Sequence, residues 1–308
     1  MGCGDDDAPA TDAGSDSGSG GAGGARTERD AGPREERDAS PASDAGRAPE
    51  TLTLRFRGVV GQRDFACGQQ YEQIGSSKLS ATPIDFRFFV QDIKLITRSG
   101  EEVDFEIPAR APFQGEGVAL IDFTDGKGEC AGDPETNTEI IGRAPAGEYD
   151  GIAFSNGVPD SLNHQNIALA APPLQNAALY WGWLNGYRFL LAEIDPIGLL
   201  DADDAGVEDA GVAATSSLIH IGSGGCAGSN KNGFTCSRPN RNRVRLTGFD
   251  PTKDAVVADF AAVFAHSDLR LAKQCHGAES GCEGVFEALG VGIESGKPLD
   301  TQAVFRTP

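Results

Sequence analysis

Apolar and polar residues alternate over short stretches along most of the chain. The segments 52–59 and 84–88 alternate with a period of two, and 118–123 is a short apolar run before the turn Asp125-Gly126. Because successive side chains of a strand point to opposite faces, each stretch predicts a half-buried β-strand. The same reasoning predicts further strands at 89–97, 102–107, 148–155, 187–194, 218–221, 243–249 and 255–260.

Signals for helices are few. One helix is predicted at 69–74, after Cys67, and another at 283–289, where Gly290 is a normal helix stop. Turns separate the strands at intervals that are typical of β-sandwiches. The sequence therefore predicts a mainly β protein, with a single β-sandwich-like domain that has long loops.

Residues 1–50 differ in composition from the rest of the chain. Between Gly4 and Glu50 there is no Val, Ile, Leu, Phe, Tyr or Trp, so this stretch cannot offset the entropy of ordering itself by burial. We expect residues 1–50 to form a disordered acidic tether. Since no Pro/Ser-rich linker divides residues 51–308, we expect them to form one β-rich domain.

The chain is acidic, with 46 Asp and Glu against 26 Lys and Arg and a net charge of -20. This charge disfavours binding to nucleic acids and to anionic lipid surfaces. No apolar run approaches the roughly 20 residues of a membrane helix, which excludes a polytopic membrane protein. The acidic segment 195–212 is predicted to be a solvated loop. It partly resembles an EF-hand calcium loop, but Val212 stands at the position that needs a bidentate Glu.

The N-terminus reads Met1-Gly2-Cys3-Gly4 and is followed by acidic residues. A Cys after a small residue, with a long polar spacer behind it, resembles the acylation site of a bacterial lipoprotein, although the rest of such a signal is missing. We therefore expect Cys3 to be lipid-modified, with a chance cysteine in a tail as the alternative.

Six cysteines remain beyond Cys3, and no two of them form the CxxC spacing of zinc or thioredoxin-like sites. An even number without a metal spacing favours three disulfides in an oxidising compartment. Proximity favours the pairs Cys226–Cys236 and Cys275–Cys282, each around a short polar segment, and leaves Cys67 to pair with Cys130. Other pairings stay open at this stage.

The usual catalytic templates are absent from the sequence. It has four His and no GxSxG, HExxH or P-loop motif. The unusual feature is Trp181-Gly182-Trp183, which holds both Trp residues of the chain. In an extended segment the two indoles lie on the same face, which gives either ordinary core packing or an electron-rich redox surface.

Several motifs in order along residues 51–295 resemble the MbnP-like family, the metallo-mystery pair four-Cys motif proteins associated with methanobactin operons. The motifs are Gly157-Val158-Pro159, Leu162-Asn163-His164, Pro172-Pro173-Leu174, Trp181-Gly182-Trp183, Gly186-Tyr187-Arg188-Phe189, the run from His220 to Cys226, Cys236, Pro239-Asn240-Arg241, Cys275, Cys282, Val285-Phe286 and Leu289-Gly290.

The resemblance implies a periplasmic or outer-membrane copper-binding protein of a Gram-negative bacterium, not an enzyme. In this family the first Trp of the WxW motif, here Trp181, is oxidised to kynurenine by a diheme partner of the cytochrome c peroxidase/MauG type (MbnH-like). Copper binding depends on that modification. Because Trp183 lies beside Trp181, we expect it to act as a redox relay. Copper as Cu(I) favours imidazole and thioether ligands over carboxylates.

One departure from the family pattern concerns the ligands. The family site is said to use a methionine, but Met1 is the only Met of this chain, and Leu179 stands where a thioether is expected. His164 and His220 lie in motif segments and are the candidate ligands, together with modified Trp181. Because successive side chains of a strand point to opposite faces, the ring of His220 is expected on the face opposite Ile219 and Ile221. The other two histidines, His266 and His276, are expected to have structural or surface roles.

Two other classes of function stay open. A carbohydrate-binding or adhesion module would use Tyr180, Trp181, Trp183 and Tyr187 as a stacking platform for sugars. A redox enzyme built on the Trp pair would need a bound cofactor, for which the sequence has no motif.

Overall fold

The computed structural model describes residues 48–197 and 216–308. Most of the predicted tether, Cys3 and nearly all of the acidic segment 195–212 lie outside the described residues. Within the described ranges, none of the helices has the length and apolar character needed to cross a bilayer.

Strands are the main regular structure of the described chain, as the alternation predicts. They are β1 (Pro49–Val60), β2 (Arg63–Asp64), β3 (Tyr71–Ile74), β4 (Leu79–Thr97), β5 (Glu102–Asp104), β6 (Gln114–Gly115), β7 (Val118–Asp122), β8 (Glu139–Pro145), β9 (Tyr149–Asn156), β10 (Tyr180–Gly182), β11 (Gly186–Pro196), β12 (Ser217–Gly222), β13 (Gly224–Ser229), β14 (Gly233–Arg238), β15 (Asn242–Thr247), β16 (Ala255–Asp259), β17 (Gln274–Cys275) and β18 (Phe305–Arg306).

The large sheet is built around the long strand β4. Its main order is β15-β9-β4-β11-β12-β17, and the shorter strands β3, β5 and β7 also pair with β4. The segments 84–88 and 89–97, which alternation predicts as two strands, are parts of β4. Asp92 has a φ of 48° at a register shift in the pairing of β4 with β9, so a bulge shifts the register without ending the strand.

A second sheet, of order β18-β16-β1-β2 with β8 beside β1, covers one face of the large sheet. The main hydrophobic core contains residues of both sheets, which gives the predicted sandwich-like arrangement. Aromatic rings join the layers: Phe56 of β1 lies 6.0 Å from Phe88 of β4, and Phe88 lies 5.1 Å from Phe305 of β18.

The other face of the large sheet has a smaller apolar cluster of its own. Phe89, Leu120, Phe189 and Leu191 pack there with Leu174 and Leu179, which come from the connection between β9 and β10. That connection contains the short helix α1 (Asp160–Asn163) and 3-10 turns at Ile167–Leu169 and Ala177–Leu179. It brings the chain back to this face at Trp181.

Two further helices follow later in the chain: α2 (Phe260–Val263) and α3 (Glu283–Leu289). Helix α3 confirms the prediction, and it ends at Gly290 in the left-handed conformation, with a φ of 71°. The helix predicted at 69–74 is wrong, because Tyr71–Ile74 is strand β3. Tyr71 and Ile74 pair with Ala81 and Leu79 of β4, while Gln73 adopts a φ of 63° that no helix contains.

The described residues contain three disulfides, Cys67–Cys130, Cys226–Cys236 and Cys275–Cys282. These are the pairs that proximity along the chain favours. Cys226–Cys236 joins two directly paired residues of the β13–β14 hairpin, which forms a sheet of its own. Cys275–Cys282 links the end of β17 to the residue before α3 and is buried.

Candidate functional site

The two Trp residues occupy a tight hairpin on the outer face of the large sheet. Strand β10 pairs with β11 and ends at Gly182, whose φ of 137° turns the chain into the connection 183–185. The backbone is therefore not extended from Trp181 to Trp183, and the prediction that the two indoles share one face is wrong. Trp183 is 52% exposed and its ring lies 5.7 Å from Phe234, whereas Trp181 is half-buried. Trp183 is thus the outer member of the pair.

Trp181 packs against a different group of residues. The Arg188 guanidinium lies 5.6 Å from its ring, and the ring of His276 lies 6.2 Å away. Gly222 makes room for the indole, since a Cβ on Gly222 would lie 2.6 Å from Trp181 Cζ3. Strand β12 thus packs closely against the Trp181 indole at Gly222.

His220 lies on β12, next to this position, and is 6% exposed. Its Nε2 lies 2.5 Å from Oε1 of Glu193 on β11. A carboxylate only accepts hydrogen bonds, so Nε2 carries the proton and donates to Glu193. The lone pair is then on Nδ1, which is buried and has no hydrogen-bond partner among the described residues. A buried nitrogen without a hydrogen-bond partner lowers the stability of the folded state unless another group or ion binds it.

His276 completes an imidazole pair with His220. The two rings lie 5.3 Å apart with nearly perpendicular planes. His276 follows Cys275, and β17 pairs in parallel with β12 through Cys275 and Ile219, the neighbour of His220. Its backbone N–H donates to Glu279 Oε2 within the loop that the Cys275–Cys282 disulfide closes. The sequence reasoning assigned His276 a structural or surface role and did not place it beside Trp181.

The imidazole of His276 suits a metal at neutral pH. Although the outer edge of His276 is exposed, desolvation on its inner side and the adjacent His220 lower the pKa of His276. A lowered pKa keeps the imidazole neutral, which is the form that binds metals. The carboxylate of Glu193 on His220 is the arrangement that orients many metal-binding histidines.

Charged side chains extend from His220 across the same face of the sheet. One line of directly paired residues crosses four neighbouring strands of the sheet. It contains Asp122 of β7, Arg87 of β4 and His220 of β12. Asp85 pairs with Glu193 in the next row and forms a buried ion pair with Arg87. Burial raises the pKa of Asp122 from 3.8 to about 6. The imidazole pair is therefore one end of a buried polar network.

A surface pocket of about 440 Å³ opens beside these groups. Trp181 and His276 line it together with Arg238 and Glu279. Trp181 is therefore accessible from solvent on the side that faces His276.

His164 lies on the opposite side of the Trp hairpin. Its ring stacks on Phe234 at 4.8 Å, and its Nδ1 lies 2.9 Å from the carbonyl oxygen of Trp183. None of its contacts in the described ranges is to His220 or to the ring of Trp181. The structure thus separates the histidines that the sequence reasoning grouped as one ligand set with Trp181. His266 is exposed.

The four-ring platform for sugars is not formed. Tyr187 is fully buried, and its hydroxyl donates to the carbonyl oxygen of Leu174. Trp183 and Trp181 contact different groups, so the four predicted rings do not form one continuous surface.

The fold and this site define a disulfide-linked β-sandwich protein with a tryptophan beside two histidines. The family model for MbnP matches residues 49–282. The chain therefore belongs to the MbnP family. Membership of this family supports a methanobactin-associated, copper-related role.

A solved structure, MbnP from Methylosinus trichosporium, is similar to this chain with a TM-score of 0.72 and 28% sequence identity. The match covers 84% of this chain and 98% of that protein. The comparison with curated proteins found no match.

Proposed function

We propose that this chain is a copper-binding protein of copper homeostasis whose Trp181 is oxidised to kynurenine by a diheme peroxidase partner. In this proposal His220 and His276 hold the copper, as Cu(I), next to the modified side chain. The chain is the substrate of the oxidation and a carrier of the metal, and it is not an enzyme.

The observation that carries the proposal is the unpartnered Nδ1 of His220. Glu193 fixes the proton on Nε2, so Nδ1 has a free lone pair in a buried position beside His276. Imidazole is a ligand that suits copper. The residues present therefore fit a copper ion without any rearrangement of the hydrogen bond to Glu193.

The modification supplies the ligand atoms that this chain lacks. Two molecules of hydrogen peroxide, the oxidant of the peroxidase partner, are reduced to water while the indole loses four electrons and gains two oxygen atoms across its C2–C3 bond, which breaks. Addition of water to the resulting formamide then releases formate and leaves kynurenine. The product has an aniline nitrogen and a ketone oxygen where the indole had one N–H donor. Since Met1 is the only Met in the sequence, these atoms would stand in for a thioether at Trp181.

The exposure of Trp183 supports its role as the relay to the partner. It lies at the tip of the hairpin, two residues from Trp181, and over half of its surface is open to solvent. A diheme protein docked at this tip would withdraw electrons through Trp183 first. We place the encounter in the periplasm or at the outer membrane, where the disulfides are stable and where Cys3 would carry a lipid anchor.

Histidine variants test the proposed ligands directly. The full chain is co-produced with a diheme partner, and Cu(I) affinity is measured by competition with a chromogenic chelator. His220→Gln and His276→Gln should each weaken binding at least about tenfold, which is the lower end of the effect of removing a residue that only orients a metal ligand. The exposed His266→Gln is the matched control and should bind like the wild type. Wild-type affinity in either of the first two variants would contradict the assignment.

A further inference from the structure

The Cys226–Cys236 disulfide differs in setting from the buried Cys275–Cys282 pair. Both Cys226 and Cys236 are partly exposed, on a two-stranded hairpin that pairs with no other strand in the described residues. Backbone pairing at 227–229 with 233–235 holds the hairpin register independently of the S–S bond. Directly opposite residues of such a pair keep their Cβ atoms about 4.5–5.5 Å apart. Reduction would therefore leave the two thiols side by side.

An imidazole lies against this disulfide. His164 Nε2 is 3.3 Å from Cys236 Sγ. The sulfur atoms of both cysteines and a ring nitrogen of His164 all lie within 4.8 Å of one another. Two sulfurs and one nitrogen at this spacing form a compact set of three donor atoms from two separate parts of the chain.

The protonation of His164 is fixed from two sides. Its Nδ1 lies 2.9 Å from the Trp183 carbonyl oxygen, which only accepts, so Nδ1 carries the proton. Asn163 Oδ1 accepts from the Tyr187 N–H, which turns the Asn163 amide nitrogen toward His164 Nε2, 3.2 Å away. Nε2 is therefore an acceptor, and its one lone pair is shared between the Asn163 amide N–H and the side of Cys236 Sγ, 3.3 Å away. A metal ion bound at Nε2 would displace the Asn163 hydrogen bond. Stacking on Phe234 holds the ring in this orientation.

We propose that Cys226, Cys236 and His164 form a second, redox-gated site for a soft monovalent metal ion, Cu(I). A disulfide has no thiolate and is a weak ligand, so the oxidised hairpin does not bind the ion. A dithiol reductant transfers two electrons and two protons to the S–S bond, which breaks to give two thiols, while the reductant becomes its own disulfide. Binding of Cu(I) then displaces the two thiol protons, and two thiolates and the Nε2 lone pair hold the metal.

This site is separate from the imidazole pair at Trp181. It uses no side chain of that pair, and a surface pocket of about 470 Å³ beside His164 and Phe234 gives it its own access to solvent. The proposed second Cu(I) site therefore does not depend on the oxidation of Trp181.

The test compares Cu(I) binding before and after mild reduction of the full chain. The chain is treated with dithiothreitol, desalted without oxygen, and titrated with Cu(I) against a chromogenic chelator; alkylation and peptide mass measurement identify which disulfides opened. The reduced wild type should bind one more equivalent than the oxidised form. A Cys226→Ser/Cys236→Ser variant should lose that equivalent, and His164→Gln should bind it at least about tenfold more weakly.

Two controls keep the result specific. Cys67→Ser/Cys130→Ser removes the other partly exposed disulfide and should keep the extra equivalent, as should Trp181→Phe. The proposal is overturned if reduction adds no equivalent, if the Cys226→Ser/Cys236→Ser variant gains it as well, or if His164→Gln binds it like the wild type. It is also overturned if the hairpin disulfide opens only when the chain unfolds.

Discussion

Removal of the Cys275–Cys282 disulfide should weaken Cu(I) binding, yet it should lower the free energy of unfolding less than removal of Cys67–Cys130 does. This disulfide closes a loop with a sequence separation of 7, whereas Cys67–Cys130 closes one with a separation of 63. The chain-entropy relation gives a stabilisation of about 2.5 kcal/mol for the short loop and about 4.3 kcal/mol for the long one. For a domain of this size these values correspond to losses of roughly 5–10 °C and roughly 9–17 °C in Tm.

The order of the effects on Cu(I) binding should be the reverse. The short loop contains His276 and Glu279, whose carboxylate accepts from the His276 N–H, so opening it frees a proposed ligand. The loop that Cys67–Cys130 closes includes Asp85, Arg87 and Asp122 of the polar network, but none of the residues that contact Trp181. We expect Cys275→Ala/Cys282→Ala to bind Cu(I) at least about tenfold more weakly, and Cys67→Ala/Cys130→Ala to bind like the wild type.

The assay combines thermal unfolding followed by circular dichroism with Cu(I) competition well below both midpoints. Cu(I) affinity is measured on oxidised chains co-produced with the diheme partner. The reasoning would be refuted if the short-loop variant kept wild-type affinity, or if affinity fell in proportion to the loss of Tm in both variants.

Three further predictions concern the polar face and the Trp pocket. Glu193→Gln keeps an acceptor for His220 but removes its charge, so Cu(I) affinity should fall about 10–100-fold in chelator competition. Gly222→Ala places a methyl group against both the Tyr187 backbone oxygen and the Trp181 ring, so β12 and the indole must move apart; the fluorescence spectrum of the apoprotein should shift and the yield of oxidised Trp181 should fall. An unchanged spectrum and yield would contradict the packing. Burial raises the pKa of Asp122 to about 6 from 3.8, so the folded state binds the extra proton in that range and stability falls as pH rises through it. The wild type should lose about 2 kcal/mol of unfolding free energy between pH 4 and pH 7 through this group, and Asp122→Asn should remove that loss; urea unfolding at both pH values would detect the difference.

The strands could be predicted because their signal is local. A period of two in 243–249 reflects one buried face, and the structure has β15 at Asn242–Thr247. The segment 69–74 could not be assigned in this way. Tyr71 and Ile74 are three residues apart, a spacing that fits one helical turn as well as an irregular strand, and only pairing with β4 decides between them.

The site could be predicted only where its residues are close in sequence or belong to a motif. Trp181 and His220 were identified, but Glu193 and His276 reach His220 through the pairing of β12 with β11 and β17. One signal was available for His276, since it follows Cys275 and lies inside a predicted local disulfide. The relative exposure of the two Trp residues depends on the φ of Gly182, which no alternation pattern reveals.

The central claim is that Trp181 is the residue that the diheme partner oxidises. The direct measurement is the mass of the peptide containing residues 181–183, with fragment ions that separate the two Trp residues, from the full chain produced with and without the partner. We predict that residue 181 loses one carbon atom and gains one oxygen atom only when the partner is present, while Trp183 is unchanged. An unmodified Trp181 in the presence of an active partner, or the same change located at Trp183, would contradict the account.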